Sequence, residues 1–429
     1  MKADLHYSDG YVSLEIPEAN VEQIIRPWGD KRNSDNQAVL QQVAGDKETA
    51  EFQDRIVGKD VCVLLDDSTR EQPFADLFES VFPVLRTGRR VQFVLCTGTH
   101  DAETPENRQI MLQLEKTAAE AGITNFGIHA HDCQRDDFVT AGRTLRGTEV
   151  RYNALIDSAE IFLVLSDVKV HYFAGYSNPI KNFVPGVCGF ATVEQNHSLA
   201  LDERSTFGLH PWHINKSRRD NPLADDQLEA MRLVVRNRPV YALVTVTTTG
   251  KVQWGRFGPV EQVSREAFST VDRTNTRAVK PVSRLVVSPG GLPNDVSLYI
   301  AQRALELTKN AVADGGEILF LAACPKGIGE EQTIENFYNR LTAPIDEVLK
   351  SIESEYKLFS HKAYKFASMI KRLRRIWLYS QIPDALVEAA HLHTAHNPQA
   401  VVDGWIAEDS ETQIKLVDGA NKVALYAGA

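Results

Sequence analysis

The chain has 429 residues, of which 43% are hydrophobic and 24% are charged, and its formal net charge is −10. This composition is that of a globular protein, and the length exceeds what one ordinary core organises, so we expect two domains. The negative charge argues against general nucleic-acid binding, which needs a basic face, and we predict no nucleic-acid partner.

Two other protein classes are excluded by local patterns. The opening residues, MKADLHYSDGYVSLEIP, lack the basic and apolar regions of a signal peptide. No apolar run approaches the roughly 18–20 residues that span a membrane. The five cysteines are scattered without a C-x-x-C pair, a pattern typical of small buried thiols rather than of a disulfide framework. We therefore predict a cytoplasmic protein with no membrane partner.

Buried strands and helices alternate along the chain. The first segment, Tyr11 to Ile16, alternates apolar and polar residues, which is typical of a short antiparallel start. Continuous apolar runs follow, separated by helix-like segments, at Val61–Leu65, Val91–Cys96, Ile161–Leu165, Leu285–Val287 and Glu317–Ala323. This alternation predicts an α/β fold with mostly parallel sheets.

A polar stretch, Val271 to Ser283, reads as a crossover between two domains. We predict an N-terminal α/β domain over residues 1–275 and a C-terminal α/β domain over residues 276–429. The last alternating segment, Gln413 to Tyr426, is a candidate to return to the first domain.

Reactive side chains follow the ends of several apolar runs. Ligands of open parallel sheets bind beyond the carboxyl ends of the strands, so the convergence matters more than any single cluster. The first cluster is Asp67, Ser68, Thr69 and Arg70. Its guanidinium suits a phosphate or carboxylate. The alternative is a helix N-cap with a local salt bridge.

Two histidines hold similar places after neighbouring runs. His100 follows the second run, and His171 follows the third, just before Tyr172-Phe173-Ala174-Gly175. Histidine is well suited to proton transfer near neutral pH. A pair facing one pocket would serve as base on one face of a substrate and acid on the other, as a racemase needs. Structural histidines are the alternative.

The loop after the third run carries two further candidates. Lys181 lies between Pro179 and Pro185, where it could bind an anion or form a covalent link, unless it is an ordinary surface lysine. His197 could ligate a metal, but one histidine is a poor protein site unless a cofactor supplies the other donors.

The remaining histidine groups are predicted to be surface or supporting residues. They are His129 with His131, His210 with His213, and His391 with His393 and His396. Gly327-Ile328-Gly329 lacks a full dinucleotide fingerprint, and there is no P-loop, so neither a dinucleotide nor ATP is indicated.

Together these residues resemble the lactate racemase family, whose members use a nickel-pincer nucleotide. The matching segments are DDSTR, GTH, H-Y-F-A-G-Y-S, the N-P-I-K and P-G-V around Lys181, the N-H at His197, S-P-G-G-x-P-x-D, Leu298-Tyr299, and the S-H-K-A-Y of Ser360 to Tyr364. They occur in the family's order and span both halves of the chain.

The resemblance implies two α/β domains with the cofactor and active site between them, the first domain binding the cofactor. It implies a nickel-pincer nucleotide attached covalently at Lys181 through a thioamide. His197 would be the protein ligand of nickel, with one carbon and two sulfurs from the pincer, a donor set that suits nickel. The segment Asp67 to Arg70 matches the cofactor-contacting motif, with Arg70 also near the substrate. The implied partners are the proteins that make and deliver this cofactor.

The implied activity is racemisation or epimerisation at C2 of a small 2-hydroxy acid. His100 and His171 match the family's acid/base pair. One histidine takes the hydroxyl proton while the C2 hydride passes to the pincer ring, and the hydride then returns to the other face of the keto acid. The cofactor supplies the difficult chemistry and the protein positions the groups.

One departure from the family concerns the substrate. After Tyr299, lactate racemases carry a Gln and, three residues on, a Lys, whereas this chain has Ile300 and Arg303. Arg303 can still bind a carboxylate, but Ile300 replaces a hydrogen-bonding group with an apolar one. We therefore expect a 2-hydroxy acid other than lactate. The alternatives are a sugar-acid (aldonate) 2-epimerase and a non-catalytic nucleotide-binding homologue.

Overall fold

The structure is a computed structural model of the chain, and it describes residues 1–27, 36–45, 47–70, 74–248 and 250–428. The strands are β1 Lys2–Tyr7, β2 Gly10–Glu15, β3 Val21–Ile25, β4 Asp60–Asp66, β5 Arg90–Cys96, β6 Phe126–Ala130, β7 Phe138–Arg143, β8 Glu149–Asn153, β9 Ile161–Asp167, β10 Lys169–His171, β11 Gly175–Ser177, β12 Val240–Thr248, β13 Lys251–Pro259, β14 Thr276–Val279, β15 Val282–Ser288, β16 Val312–Leu321, β17 Arg375–Tyr379, β18 His393–Thr394, β19 Ile414–Asp418 and β20 Ala424–Ala427. The helices are α1 Asn36–Ala44, α2 Lys47–Arg55, α3 Phe74–Leu85, α4 Pro105–Glu120, α5 Ile180–Phe183, α6 Phe190–Ser198, α7 Pro222–Val235, α8 Val260–Asn275, α9 Leu298–Thr308, α10 Glu331–Ile334, α11 Ile345–Ser354, α12 Ser360–Arg372, α13 Asp384–Ala389 and α14 Pro398–Glu408.

The chain forms two compact units. The central unit holds residues 30–273, and the terminal unit combines residues 1–29 with residues 274–429. The predicted α/β fold with two domains of mostly parallel sheets is confirmed. The predicted first domain, residues 1–275, differs from this division, because its first 29 residues cluster with the C-terminal residues instead.

The central unit is built on a sheet with the strand order β13-β12-β9-β4-β5-β6. Each neighbouring pair is parallel except β12 with β13, which forms an antiparallel hairpin. Every residue of β9 is buried, since helices cover both faces of a parallel sheet. The apolar runs that the sequence offers at β4, β5 and β9 therefore form three adjacent central strands.

The terminal unit has a second sheet, in the order β18-β17-β16-β15-β19-β3, with every neighbouring pair parallel. Strand β3 from the N-terminal segment pairs with β19 from the C-terminal segment. The last segment was a candidate to return to the first domain; instead β19 lies inside the sheet of the terminal unit, and the first segment comes to it.

The predicted antiparallel start of the chain is the β1–β2 hairpin. Its apolar side packs into the terminal core, where Leu5, Leu14 and Ile16 join Leu416. Two backbone amides also bind buried carboxylates: His6 N donates to Asp418 Oδ1 at 2.9 Å, and Ser8 N donates to Asp295 Oδ2 at 2.8 Å. Burial of one hairpin face and these bonds explain why the first segment belongs with the C-terminal residues.

A buried polar cluster in the central unit overturns the surface alternative for two histidines. Tyr176 Oη and Arg218 Nη1 donate to the Asp272 carboxylate at 2.7 and 2.6 Å, and His213 Nε2 lies 3.0 Å from it. Burial alone would raise the pKa of Asp272, but His213, Tyr176 and Arg218 hold it below its usual value. His210 is 1% exposed and its ring centroid lies 4.8 Å from that of Phe268. His213 is 2% exposed and stacks on the Tyr176 ring at a centroid distance of 6.2 Å, so aromatic rings cover both histidines.

No helix among the described residues is long and apolar enough to cross a membrane.

We predict that Leu5→Ala weakens the terminal unit by about 2–5 kcal/mol, because it opens a cavity in a fully buried site. Hydrogen exchange should show faster exchange in β3, β15 and β19. Tyr11→Ala, on the same hairpin but 64% exposed, is the matched control and should leave these strands protected. Loss of protection in β4 and β9 with β19 unchanged would contradict the assignment.

We also predict that His210 makes the protein acid-sensitive. Burial, reinforced by nearby His213, lowers the pKa of His210 from the model-compound value of 6.5 to about 3. Between these values only the unfolded chain takes up the proton, so the free energy of unfolding falls as the pH falls below 6.5, by about 2 kcal/mol at pH 5.

Urea unfolding at pH 7 and pH 5 measures this effect. His210→Asn keeps an acceptor for the Trp212 N–H, which donates to His210 Nδ1 at 3.1 Å, and it should lose about 2 kcal/mol less stability than the parent over this interval. His396→Asn, at an exposed histidine, is the control. Equal losses in the parent and His210→Asn would refute the prediction.

Candidate active site

Most of the predicted site residues lie beyond one edge of the central sheet. Strands β9, β4 and β5 are adjacent and parallel, so the segments that follow them start at the same edge. Asp67 and Arg70 follow β4, His100 follows β5, and the segment with His171 and Lys181 follows β9. The expected convergence at the carboxyl ends is found in the structure.

His100 is paired with Asp67. The His100 Nδ1 atom lies 2.7 Å from Asp67 Oδ2, and Asp67 is 3% exposed while the imidazole remains half exposed. Burial alone would raise the pKa of Asp67, but His100, Arg70 and Thr69 hold it below its usual value. An ionised, buried carboxylate therefore fixes one ring nitrogen of His100 and leaves the other for a ligand, an arrangement suited to acid/base chemistry.

The other residues of the 67–70 segment have different environments. Ser68 and Arg70 are half-buried and Thr69 is exposed. The Ser68 N–H donates to Asn107 Oδ1 at 3.0 Å, and the Thr69 N–H donates to Asp67 Oδ1 at 3.2 Å. The Arg70 N–H donates to the Asp67 carbonyl, which closes a turn. The segment is thus a tight turn beyond β4 with a guanidinium at its end.

His171 and Lys181 touch each other. The Lys181 Nζ atom lies 2.8 Å from His171 Nε2, and the Ala174 N–H donates to His171 Nδ1 at 3.2 Å. The backbone amide thus occupies Nδ1 of His171, and Nε2 faces the lysine nitrogen. The contact holds the Lys181 nitrogen, which is a nucleophile in its neutral form, beside the His171 ring.

The Phe173 ring lies beside His171, Lys181 and His197. Its ring centroid lies 4.5 Å from the His171 ring, 5.3 Å from the His197 ring and 5.6 Å from Lys181 Nζ. Phe173 is 3% exposed. One buried aromatic ring therefore positions all three polar groups, a role that its place in H-Y-F-A-G did not indicate to us.

His197 lies near the end of α6 and is 8% exposed. Burial, with the charge of Lys181 nearby, lowers the pKa of His197 to about 3. The imidazole is therefore neutral at physiological pH, which is the form that ligates a metal. Within the residues that the structure describes, no three His, Cys, Asp or Glu side chains are placed to hold a metal ion together.

Asp66, the last residue of β4, holds the short helix α5 that carries Lys181. It is buried, and it accepts hydrogen bonds of 3.0 Å from the Asn182 side-chain amide and from the Asp167 N–H. Burial raises the pKa of Asp66 to about 6, against the opposing effects of Arg70, the Asp167 amide and Asn182. Since Asn182 follows Lys181 directly, Asp66 fixes the turn that carries the lysine. The sequence signal for this role was a carboxylate at the end of a fully apolar strand. Asp66 was not among the predicted site residues.

A second contact joins the segment before His100 to the segment after Lys181. The Gly98 N–H donates to the Gly186 carbonyl at 3.1 Å. Gly98 has φ +58°, and an added Cβ would lie 3.3 Å from Pro185. At Gly186 an added Cβ would lie 2.2 Å from the Asn182 carbonyl oxygen, so only glycine fits this crossing. The segments after β5 and β9 are therefore held together by backbone contacts.

Three of the four predicted substrate residues, all except Arg70, belong to the terminal unit and lie on the first turns of α9. Tyr299 is half-buried and its ring lies 5.4 Å, edge-on, from Phe337. Ile300 is 41% exposed, and Arg303 is half-buried. The exposed Ile300 side chain is available to a ligand, and Arg303 lies one helical turn after Tyr299.

Comparison with known proteins agrees with the resemblance read from the motifs. The family description "Lactate racemase N-terminal domain" matches residues 7–208. The chain is 22% identical over 336 residues to a lactate racemase of Thermoanaerobacterium thermosaccharolyticum, covering 76% of each chain. It is 23% identical over 292 residues to a lactate racemase of Lactiplantibacillus plantarum, covering 67% of this chain and 64% of that one.

Solved structures share the fold. The lactate racemase apoprotein from Thermoanaerobacterium thermosaccharolyticum is similar with a TM-score of 0.84 and 18% identity, over 99% of this chain and 100% of that one. A crystal structure of a Thermotoga maritima protein is similar with a TM-score of 0.66 and 14% identity, over 91% of this chain and 98% of the other. The matched N-terminal domain and the two relatives support assignment of the chain to the lactate racemase family, and the solved structure shows that it shares their fold.

Proposed function

We propose that the protein is a racemase or epimerase that inverts C2 of a small 2-hydroxy acid. The observation that carries this proposal is the contact of His171 with Lys181 around Phe173, beside His197 and at the same sheet edge as the His100–Asp67 pair. A binding protein has no need for two histidines with fixed ring nitrogens. The similarity to lactate racemases supports the same activity.

The residues present fit a nickel-pincer nucleotide. His197 offers one buried, neutral nitrogen donor, and the described part of the chain places no set of three metal-binding side chains, so a pincer that brings its own donors would complete a metal site here. The Lys181 nitrogen, which lies 2.8 Å from His171 Nε2, would be the point of covalent attachment of that group. Asp67, Ser68, Thr69 and Arg70 would hold its polar part. When bound, the group would supply an acceptor for the hydride on C2.

The protein's own residues would move the protons. His100 would take the hydroxyl proton from one face of the substrate, and the ionised Asp67 carboxylate would stabilise the imidazolium that results. His171 would serve the other face through Nε2, since its Nδ1 accepts a backbone amide. Arg70, which follows the same strand as Asp67, would bind an anionic group of the cofactor or substrate.

Substrate choice is assigned to Tyr299, Ile300 and Arg303. The Arg303 guanidinium would bind the carboxylate, and the exposed Ile300 side chain would contact the substituent on C2. An apolar side chain cannot hydrogen-bond a small polar substrate, so we propose a 2-hydroxy acid with a larger or more apolar substituent than lactate. Proteins that build and deliver the nickel nucleotide would be required partners.

We predict that the protein, co-expressed with cofactor-making enzymes, racemises an apolar 2-hydroxy acid at least 10-fold faster than lactate, a discrimination typical of one or two buried methylene groups. Chiral chromatography of a panel of 2-hydroxy acids and aldonates measures this preference. Ile300→Gln should shift the ratio toward lactate, and Ile214→Gln, at another exposed isoleucine, is the control. Turnover of lactate alone would sink the substrate proposal, and turnover of aldonates alone would favour the sugar-acid epimerase.

We predict that covalent attachment of the cofactor and turnover of the substrate can be lost separately. Intact mass spectrometry of the co-expressed protein should show an added mass that disappears in Lys181→Arg. His100→Gln should keep the added mass and lose turnover by about 10²–10⁴-fold, because it removes an acid/base group. His100 is the cleaner variant, since His171 contacts Lys181 itself and its removal would disturb attachment too. A bare-chain mass in the parent would contradict covalent attachment, and full activity of His100→Gln would contradict its role.

A further inference from the structure

Lys362, on the first turn of α12, is a buried lysine in the terminal unit. It is 6% exposed, its Nζ donates to the backbone carbonyl of Tyr299, and the same Nζ lies 3.9 Å from the centroid of the Tyr299 ring. The ammonium therefore meets both the backbone and the aromatic face of one residue. A cation over a tyrosine face is attracted to it, and more strongly when water is excluded.

Burial of this lysine opposes stability. Burial, and then the positive charge of Arg303, lower the pKa of Lys362 to about 7, and Glu306 acts in the opposite direction. Ionisable groups around this place include Tyr299 itself, which is affected by Glu330, and on α12 His361, whose Nδ1 lies 2.8 Å from Tyr356 Oη, and the buried Lys365. Because the charged form is disfavoured, an apolar side chain of similar length would fill this place at less cost. A costly buried cation points to a functional reason for it.

The first turn of α9 is held on its other side by a glycine loop. The Leu298 N–H donates to the Gly327 carbonyl at 3.0 Å, and the Tyr299 N–H donates to the Ile328 carbonyl at 2.8 Å. An added Cβ on Gly329 would lie 3.0 Å from Tyr299 Cβ, so this loop packs closely on the turn. The loop thus fixes the amides of the turn, and Lys362 fixes a carbonyl and the ring.

We propose that Lys362 is a positioning residue that orders the first turn of α9, and through it Tyr299, Ile300 and Arg303, for binding the carboxylate of a 2-hydroxy acid. The proposal rests on the proposed function only for the identity of the ligand. The ordering of the turn stands on the contacts of Lys362 with Tyr299 alone. Lys362 touches the substrate-binding segment and is not itself assigned a part in the chemistry.

Hydrogen exchange of the cofactor-free full chain tests the ordering without any substrate. Lys362→Met removes the donor and the cation but keeps an unbranched apolar stem. We expect exchange of the amides in residues 298–303 to become about 10-fold faster, as loss of about 1.4 kcal/mol of local order would give, while the later part of α9 is unchanged. Lys371→Met, the same substitution at an exposed lysine on α12, is the matched control. Unchanged exchange at 298–303 in a folded Lys362→Met protein would overturn the proposal.

Kinetics of the cofactor-loaded protein test the link to substrate binding. Lys362→Met should raise KM about 10-fold with a much smaller change in kcat, and Lys362→Arg, which keeps a cation and a donor, should restore KM. A purely structural lysine would instead lower the thermal midpoint of Lys362→Met without this KM effect, and that result would overturn the proposal.

The pH dependence keeps the proposal testable if Lys362→Met does not fold. Lys362 loses its charge as the pH rises through about 7, so KM of the parent should rise above that pH, whereas KM of Lys362→Arg should stay flat because arginine keeps its charge. Parallel profiles of the two proteins would overturn the proposal. If the parent turns over no 2-hydroxy acid, the proposed function fails, and the exchange experiment still decides the role of Lys362.

Discussion

The parallel pairing of β9, β4 and β5 is the constraint on which the candidate site depends. Parallel strands end at a common edge, so segments from distant parts of the chain start side by side. Two fixed contacts then set the relation of these segments: Asp66 binds Asn182, and the Gly98 amide binds Gly186. The sheet and these two contacts fix the backbone segments from which the reactive side chains project.

Two buried ionisable side chains lower the stability of the fold through the cost of removing their charges from water. Asp66 and Lys362 are both buried. Burial raises the pKa of Asp66 and lowers the pKa of Lys362, so it favours the neutral form of each. Asp66 holds the turn that carries Lys181, and Lys362 holds the turn that carries Tyr299. In both cases the buried group touches the backbone or amide of a functional segment rather than a ligand, which is how a fold fixes the groups that do the chemistry.

The residues of the candidate site divide into those that sequence patterns reveal and those that sequence patterns do not reveal. His100, His171, Lys181 and His197 stand out because reactive side chains after glycine-rich strand ends are unusual. Phe173 and Asp66 do not, since an aromatic residue and a strand-end carboxylate have ordinary structural explanations. Their importance comes from contacts with residues that are brought near by folding, such as Phe173 with His197.

The same division applies to the fold. Alternation of apolar runs and helices was enough to determine the α/β class and the parallel sheets, because local periodicity reports which faces are buried. It could not determine that β3 pairs with β19, a contact between the two ends of the chain that places residues 1–29 in the terminal unit. Nor could it reveal that His210 and His213 are buried, since the rings of Phe268 and Tyr176 that pack against them come from distant parts of the chain. The sequence by itself determined which residues carry reactive groups and roughly where the strands end. Only the tertiary structure decided which of those groups touch, because contact across a fold depends on strand order and packing, and neither is written in the spacing of residues along the chain.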